Sequence, residues 1–341
     1  MKRLRILALM HEDLVPPEDT TGVETTTAEW KMEYDVTVTL RELGHEVRSL
    51  GLRAELSPLR EALESFQPHV VFNLLEGFDD NPALDQNVVA YLEMKRIPYT
   101  GCNARGLVLG RDKVIAKKLL SYHRIAVPDF VLIPRGLKAR RPKRLRFPLI
   151  VKSATLDASV GISQASVVED DARLAERVHF MHEKIGTDAL VESYIDGREL
   201  YVGIIGNHRI QAFPVWELDF SKMPEESRRI ATERLKWSIG YQRRHGIVTG
   251  PARGIPDGAG QRIQRVCKRV YKILRLSGYA RIDLRLSDAG KLYVIEANPN
   301  PQLAYGEDFA ESAERAGVRY DALLQRIASL GLRWAEPGGP G

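Results

Sequence analysis

Apolar and polar positions alternate between two periods along the first hundred residues. Leu4–Met10, His45–Leu50 and Val70–Leu75 are short apolar runs of strand length. Between them, Ala28–Leu43, Leu59–Phe66 and Asp85–Met94 carry apolar residues at helical spacing, the first ending at Gly44, a natural C-cap. Strand and helix signals alternating at these lengths predict βαβ units and a parallel sheet. Ligands of such sheets sit beyond the carboxyl ends of the strands. Here those ends are His11-Glu12-Asp13 and Glu76-Gly77.

Further on, Arg111–Tyr122 reads as a basic amphipathic helix, and Phe147–Lys152 as a short buried strand ending in lysine. The stretch Ser153–Ser163 is small and polar, and suits a loop that closes over phosphates through its backbone N–H groups. Asp170–Lys184 is helical. Ala189–Ile205 holds two strands about a turn at Asp196-Gly197, with Glu192 and Glu199 on either side as strand-edge carboxylates. Phe213–Pro256 is the least regular region. Gly260–Ser277 is a basic amphipathic helix, and Asp308–Leu330 is helical with a break near Gly317.

Composition narrows the class. The 341 residues are 44% hydrophobic and 28% charged, which fits a globular chain of two or three domains. Cys102 and Cys267 lie far apart, in no metal-ligand spacing and no disulfide framework, as expected for a reducing cytoplasm. No apolar run approaches the roughly 18 residues of a membrane span, and Ile6–Met10 is too short for a signal peptide. The net charge is +5, and the sharpest basic cluster is Arg135–Arg146, where no aromatic residue is interleaved as a nucleic-acid site would usually have; this reads as a solvated connector, with steering of polyanions such as nucleotides as the alternative, and no nucleic-acid partner is expected. Residues 335–341 form a Pro/Gly-rich tail expected to be disordered.

The densest candidate chemistry lies in Tyr279–Gln302. Tyr279–Leu286 and Leu292–Ala297 form two strands around the turn Ser287-Asp288-Ala289-Gly290. Alternation puts Arg281 with Asp283 on one face, and Glu296 with Asn298 on one face. With closure at Asp288-Ala289, Arg281 lies opposite Glu296, with Asp283 diagonal to it. Two carboxylates and a carboxamide oxygen are hard ligands that suit Mg²⁺ with phosphate as its remaining ligand. The plain alternative is a hairpin with a surface ion pair.

Four strings in order, YTGCNARGLVLGRDKVIAKKLL, PLIVKSATLDASVGIS, ALVESYIDGREL and GYARIDLRLSDAGKLYVIEANPNP, resemble the ATP-grasp ligases, and within them the D-alanine–D-alanine ligase group. The resemblance runs from Leu4 to about Leu332. It implies an α/β fold of the ATP-grasp kind: an N-terminal parallel βαβ domain (1–100), a central subdomain with the phosphate loop (101–189) and a C-terminal subdomain with the metal site (190–334). It implies ATP between the last two. Lys113 and Lys152 would contact phosphates, Glu192, Ser193, Tyr194 and Ile195 would form the adenine hinge, and Glu199 would hold the ribose. Asp283, Glu296 and Asn298 would bind two Mg²⁺ ions, with Mn²⁺ as the substitute. Arg281, Lys152 and Ser159 would be catalytic, with the loop Ser153–Ser163 closing over the γ-phosphate. The implied reaction joins a small-molecule carboxylate to an amine through an acyl phosphate, in the cytoplasm, in a protein that the resemblance implies is a homodimer.

The chain departs from that group on the amino-acid side. Ala158 stands where the group has a serine, Lys236-Trp237 where it has lysine-tyrosine, and Pro301-Gln302 where it has proline-glycine. Its first-helix glutamate falls near Thr27, and a serine that binds the second substrate falls near Glu307. Glu76, Trp237, Asn300, Gln302 and Glu307 are therefore the expected substrate-side residues, and specificity is expected to be altered. An acidic Glu307 would repel a carboxylate. The competing class is a kinase, a carboxylase-like enzyme or a nucleotide-binding regulatory module.

Overall fold

Ile6 to Met10 are fully buried at the centre of a parallel sheet, as their unbroken apolar run requires of a strand covered on both faces. The structure, a computed structural model, describes residues 3–333 apart from 157–159, 224–227, 234, 236–238 and 257. The expected disordered tail lies outside the described residues. Strands β1 (Arg5–His11), β2 (Glu46–Leu52) and β3 (Val70–Asn73) pair in the order β2-β1-β3, with Arg5 opposite Glu46 and Ile6 opposite Val70. Helices α1 (Lys31–Glu42), α2 (Ser57–Phe66) and α3 (Asp85–Met94) connect and follow them. The alternation read from the sequence is thus the observed parallel layer. Helix α1 starts three residues later than expected, because Thr25–Thr27 forms a separate short turn whose Thr26 N–H donates to the Glu24 side chain, 3.1 Å. β-branched residues favour such a break.

The expected helix Arg111–Tyr122 is observed from Lys113, two residues later, behind a separate helix over 104–111. Helix α4 (Ala104–Arg111) is capped by Asn103, and α5 (Lys113–Tyr122) by Asp112, whose side chain accepts from the Val114 and Ile115 N–H groups at 2.9 and 2.8 Å. A four-stranded antiparallel sheet follows, from β4 (Phe130–Ile133), β5 (Leu149–Ser153), β6 (Val167–Val168) and, after α6 (Asp171–Phe180), β7 (Ala189–Ser193), in the order β4-β7-β5-β6. Its last strand runs past residue 189, so the sheet extends beyond the expected division there.

The third sheet holds β8 (Arg198–Ile205), β9 (Gln211–Ala212), β10 (Trp216–Asp219), β11 (Val248–Pro251), β12 (Tyr279–Leu286) and β13 (Leu292–Pro299). Its order is β11-β10-β8-β12-β13, with β9 on β8. Helices α7 (Ile239–His245), α8 (Ala259–Ile273), α9 (Asp308–Arg315) and α10 (Tyr320–Leu332) complete the chain. One core binds the ends of the chain together: Met32, Val36 and Leu40 of α1 pack in a cluster with Tyr279, Leu303, Phe309 and Leu324. The first sheet therefore sits against the strand that carries the candidate chemistry. At this seam Gly101 and Gly278 touch. A Cβ on Gly278, whose φ is +67°, would lie 2.3 Å from the Gly101 carbonyl oxygen. No helix among the described residues is long and apolar enough to cross a membrane.

Candidate active site

The β12–β13 hairpin closes one residue later than its turn chemistry predicts. The Ser287 N–H donates to the Lys291 carbonyl at 3.0 Å, and the Lys291 N–H donates to Ser287 Oγ at 3.2 Å, so five residues form the loop. The register then shifts between Asp283 and Leu284, leaving Ile295 unpaired as a bulge. Arg281 consequently faces Asn298, and Asp283 faces Glu296; the expected Arg281–Glu296 pairing does not form. The bulge also has a use. Its Ile295 carbonyl accepts a hydrogen bond from Lys117 Nζ at 2.7 Å.

Alternation and cross-strand pairing assemble the rest. Arg281 Nε and Nη2 hold both oxygens of Asp283, at 2.8 and 2.9 Å, and its guanidinium lies 4.7 Å from the centre of the Tyr201 ring. Tyr201 stands opposite Asp283 on β8, and its hydroxyl donates to Glu199 at 2.7 Å. Arg285 stands opposite Glu199 and meets its other oxygen at 2.5 Å. One face of β8 and β12 is therefore a ladder of alternating charge.

The second group comes from α5, β5 and β7. Lys117 Nζ lies 3.0 Å from one oxygen of Glu192, and Lys152 Nζ lies 3.2 Å from the other. Lys113 Nζ donates to the Leu156 carbonyl at 2.9 Å and lies 3.9 Å from Glu296. The reading of Glu192 as a strand-edge carboxylate is corrected here. Strand β7 lies between β4 and β5, and Glu192 is 1% exposed. Burial raises its pKa, but the two ammonium groups outweigh burial and hold it below the usual carboxylate range. Burial pulls Lys117 down to about 8, with Glu192 opposing. Lys152 is likewise buried rather than snorkelling to the surface.

These groups open into one cavity. Lys113, Lys152, Ser193, Tyr194, Ile195, Glu199, Asp283 and Glu296 line it, with Pro128, Ile150, Ile230 and Leu284 as apolar walls. Leu156, Val160 and Ile162, from the described parts of the expected phosphate loop, form another side. The Glu192 carboxylate also borders it, from among the lysines. Asn298 stands beside the pair Asp283–Glu296, and its Nδ2 is buried with no hydrogen-bond partner among the described residues. Among the described residues no cluster of three or more His, Cys, Asp or Glu side chains is poised for a metal, so the oxygen set rests on two carboxylates and one carboxamide.

The substrate-side residues are placed differently. Glu76, Gln302 and Glu307 are exposed and lie outside that cavity lining. Asn300 has φ of +51°, and its Oδ1 accepts from the Cys102 N–H at 2.7 Å, which ties the end of β13 to the start of α4. Glu307 has its pKa raised, by desolvation first and then by Asp308, with Lys31 and Arg281 opposing. Ser159 and Trp237 lie outside the described residues.

Sequence reasoning missed Lys117, Tyr201 and Arg285. Each carried a signal. Lys117 is four residues from Lys113 and shares its helix face. Tyr201 is two residues from Glu199, and Arg285 is two from Asp283, each on the same strand face.

Residues 118–329 match the family model described as the D-Ala–D-Ala ligase C-terminus. The chain is 32% identical over 306 residues to the uncharacterized protein y4sG of Sinorhizobium fredii, covering 87% of this chain and 86% of that one. It is 30% identical over 300 residues to the D-alanine–D-alanine ligase of Syntrophotalea carbinolica, covering 86% and 88%. The fold matches the crystal structure of the D-alanine–D-alanine ligase from Bacillus anthracis complexed with ATP, with a TM-score of 0.74, 24% identity and coverage of 97% and 98%. The chain belongs to the D-alanine–D-alanine ligase family, ATP-dependent ligases of the ATP-grasp fold that form carbon–nitrogen bonds.

Proposed function

We propose that the cavity between the second and third sheets binds ATP with Mg²⁺ and drives ligation of an amino acid or peptide carboxylate to an amine other than the D-alanine pair. One observation carries this reading: Lys113, Lys152, Asp283 and Glu296, from four separate elements, line a single cavity with apolar walls. Apolar walls and Ser193–Ile195 suit an adenine and its hinge, and Glu199 suits the ribose. The chain is divided in this reading into three functional domains, over 1–100, 101–189 and 190–334, with β7 of the second sheet running on to Ser193.

The donor set fits Mg²⁺, being oxygen only and placed beside lysines that suit phosphate. Asp283, Glu296 and Asn298 would hold the ion, which when bound neutralises phosphate oxygens. The chain's own residues do the rest. Arg281, fixed by Asp283 and Tyr201 next to the cavity-lining Asp283, would stabilise the transferred phosphoryl group. Lys152, fixed by Glu192, and Lys113 balance negative charge on the leaving ADP. The loop 153–163 excludes water, which would hydrolyse an acyl phosphate. In the first step a substrate carboxylate oxygen bonds to the γ-phosphorus and the bond to ADP breaks. In the second, an amine bonds to the acyl carbon, phosphate leaves and the amine loses a proton.

Altered specificity rests on Gln302, Glu307 and Trp237, which replace residues of the D-alanine enzymes. A screen for ADP release over amino acids and dipeptides with Mg²⁺ tests the reading. Turnover with a pair other than D-alanine is the expected result. ADP release with no pair, or with D-alanine alone, contradicts it.

A further inference from the structure

The basic connector Arg135–Arg146 divides its cations between two uses. Arg135 donates to the Gly186 carbonyl at 3.0 Å, and Arg141 pairs with Asp171 at 2.9 Å, so both are held by the chain itself. Arg144 borders a second cavity, of about 730 Å³. Lys118 of α5, Arg124 just after that helix and Lys291 of the β12–β13 loop border it too. Asp129 is the one carboxylate among the described residues that line it. None of the four cations is in an ion pair among the described residues. Arg144 donates to the Phe130 carbonyl at 3.4 Å, and Lys291 lies 4.7 Å from the centre of the Tyr293 ring, so neither meets a balancing charge.

One wall of this cavity is a sheet edge. Strand β4 is outermost in its sheet, and Phe130, Val131 and Leu132 all border the cavity. The Ser193 N–H donates to the Asp129 carbonyl at 2.9 Å, so Asp129 and, two residues on, Val131 turn their backbone groups towards β7. Phe130 and Leu132 turn theirs towards the open edge. Backbone N–H groups along such an edge suit an anion. The wall is also held in place from β13, where the Val294 N–H donates to the Ala126 carbonyl at 2.9 Å. Pro128 borders this cavity and the nucleotide cavity alike, so the two are neighbours.

We propose that this second cavity is a binding site for a small molecule carrying two phosphate groups. The charge balance selects the class. Four cations against one carboxylate leave a surplus of three positive charges. Two phosphates carry about three to four negative charges at neutral pH, and a single phosphate about two at most. Arg124 and Arg144 are planar forks suited to phosphate oxygens, and Lys118 and Lys291 are point charges that add to them. The nucleotide cavity pairs its lysines with Asp283 and Glu296, which suit a metal. The second cavity has no such carboxylate pair, so it takes its anion without one. The site stands independently of the ligase reading.

The test is calorimetric titration of the full-length protein with pyrophosphate in the absence of Mg²⁺. Lys118, Arg124, Arg144 and Lys291 are exposed, so their replacement spares the core. The diagnostic variant combines Lys118→Gln, Arg144→Gln and Lys291→Gln. A matched control combines Arg262→Gln, Arg265→Gln and Lys272→Gln, which removes the same charge from the exposed face of α8. Lys152→Ala reports on the nucleotide cavity. Wild type is expected to bind one equivalent of pyrophosphate, and inorganic phosphate about tenfold or more weaker. The diagnostic variant is expected to lose about tenfold or more in pyrophosphate affinity, while the α8 control and Lys152→Ala stay within about twofold of wild type. No saturable binding, or equal losses in the diagnostic variant and the α8 control, overturns the proposal. Loss in Lys152→Ala with the diagnostic variant unaltered assigns pyrophosphate to the nucleotide cavity and overturns it too. A tetra-aspartate peptide binding more tightly than pyrophosphate makes the β4 edge a site for acidic peptides instead, and likewise overturns it.

Discussion

Asp283 stands directly opposite Glu296 across the β12–β13 ladder. Like charges so placed destabilise a sheet unless something positive lies between or beside them. Arg281 supplies part of that charge, through both oxygens of Asp283, and Lys113 approaches Glu296. A divalent cation with phosphate would complete it. Removing Glu296's charge should therefore leave the fold intact and abolish turnover. Glu296→Gln is expected to keep its Tm within a few degrees of wild type while ADP release falls by about 100-fold or more.

The two lysines on Glu192 should separate in effect. Lys117 is anchored to Glu192 and to the bulge carbonyl of Ile295, deep in the core. Its replacement leaves a buried carboxylate half-compensated. Lys117→Met is expected to lower stability by about 3 kcal/mol in urea unfolding. Lys152 lines the cavity, so Lys152→Ala is expected to weaken ATP affinity by about tenfold or more. An unchanged nucleotide Kd in Lys152→Ala would remove its phosphate role.

Glu33 makes stability depend on pH in a definite direction. Its folded pKa, about 7, lies above the ordinary glutamate value of 4.5, so between these values the folded state binds the proton more tightly. Its favourable contribution is present below 4.5 and is lost as pH rises through 7. Glu33→Gln removes that loss. The variant is expected to match wild type near pH 4.5 and to exceed it near pH 8 by about 3 kcal/mol, read as a Tm difference that opens with rising pH. A gap independent of pH would show that Glu33 is already satisfied in the free protein.

Much of the framework was legible because its signals are local. The apolar run at Ile6–Met10 is a buried parallel strand, and the limits of Asp85–Met94 and Tyr279–Leu286 match the helix and strand observed. The candidate nucleotide residues were legible as types in an order, and the structure brings Lys113, Lys152, Glu199, Asp283 and Glu296 around one cavity. The hairpin register was not legible, since a bulge at Ile295 depends on Lys117 reaching its carbonyl from another element. Glu192 was misread because strand order decides burial, and nothing near Glu192 shows that β7 is interior. Glu33 looked like any glutamate of an amphipathic helix. Its burial, 1% exposed, is set by the packing of α1 in the folded chain and not by its neighbours in sequence.

The central claim is that this cavity performs phosphoryl transfer through the Asp283–Glu296 pair. Its most direct test is ADP formation by purified Asp283→Asn with ATP, Mg²⁺ and the amino-acid pair that wild type turns over. A folded variant whose ADP formation falls by about 100-fold or more is the predicted result. ADP formation at the wild-type rate would contradict the account.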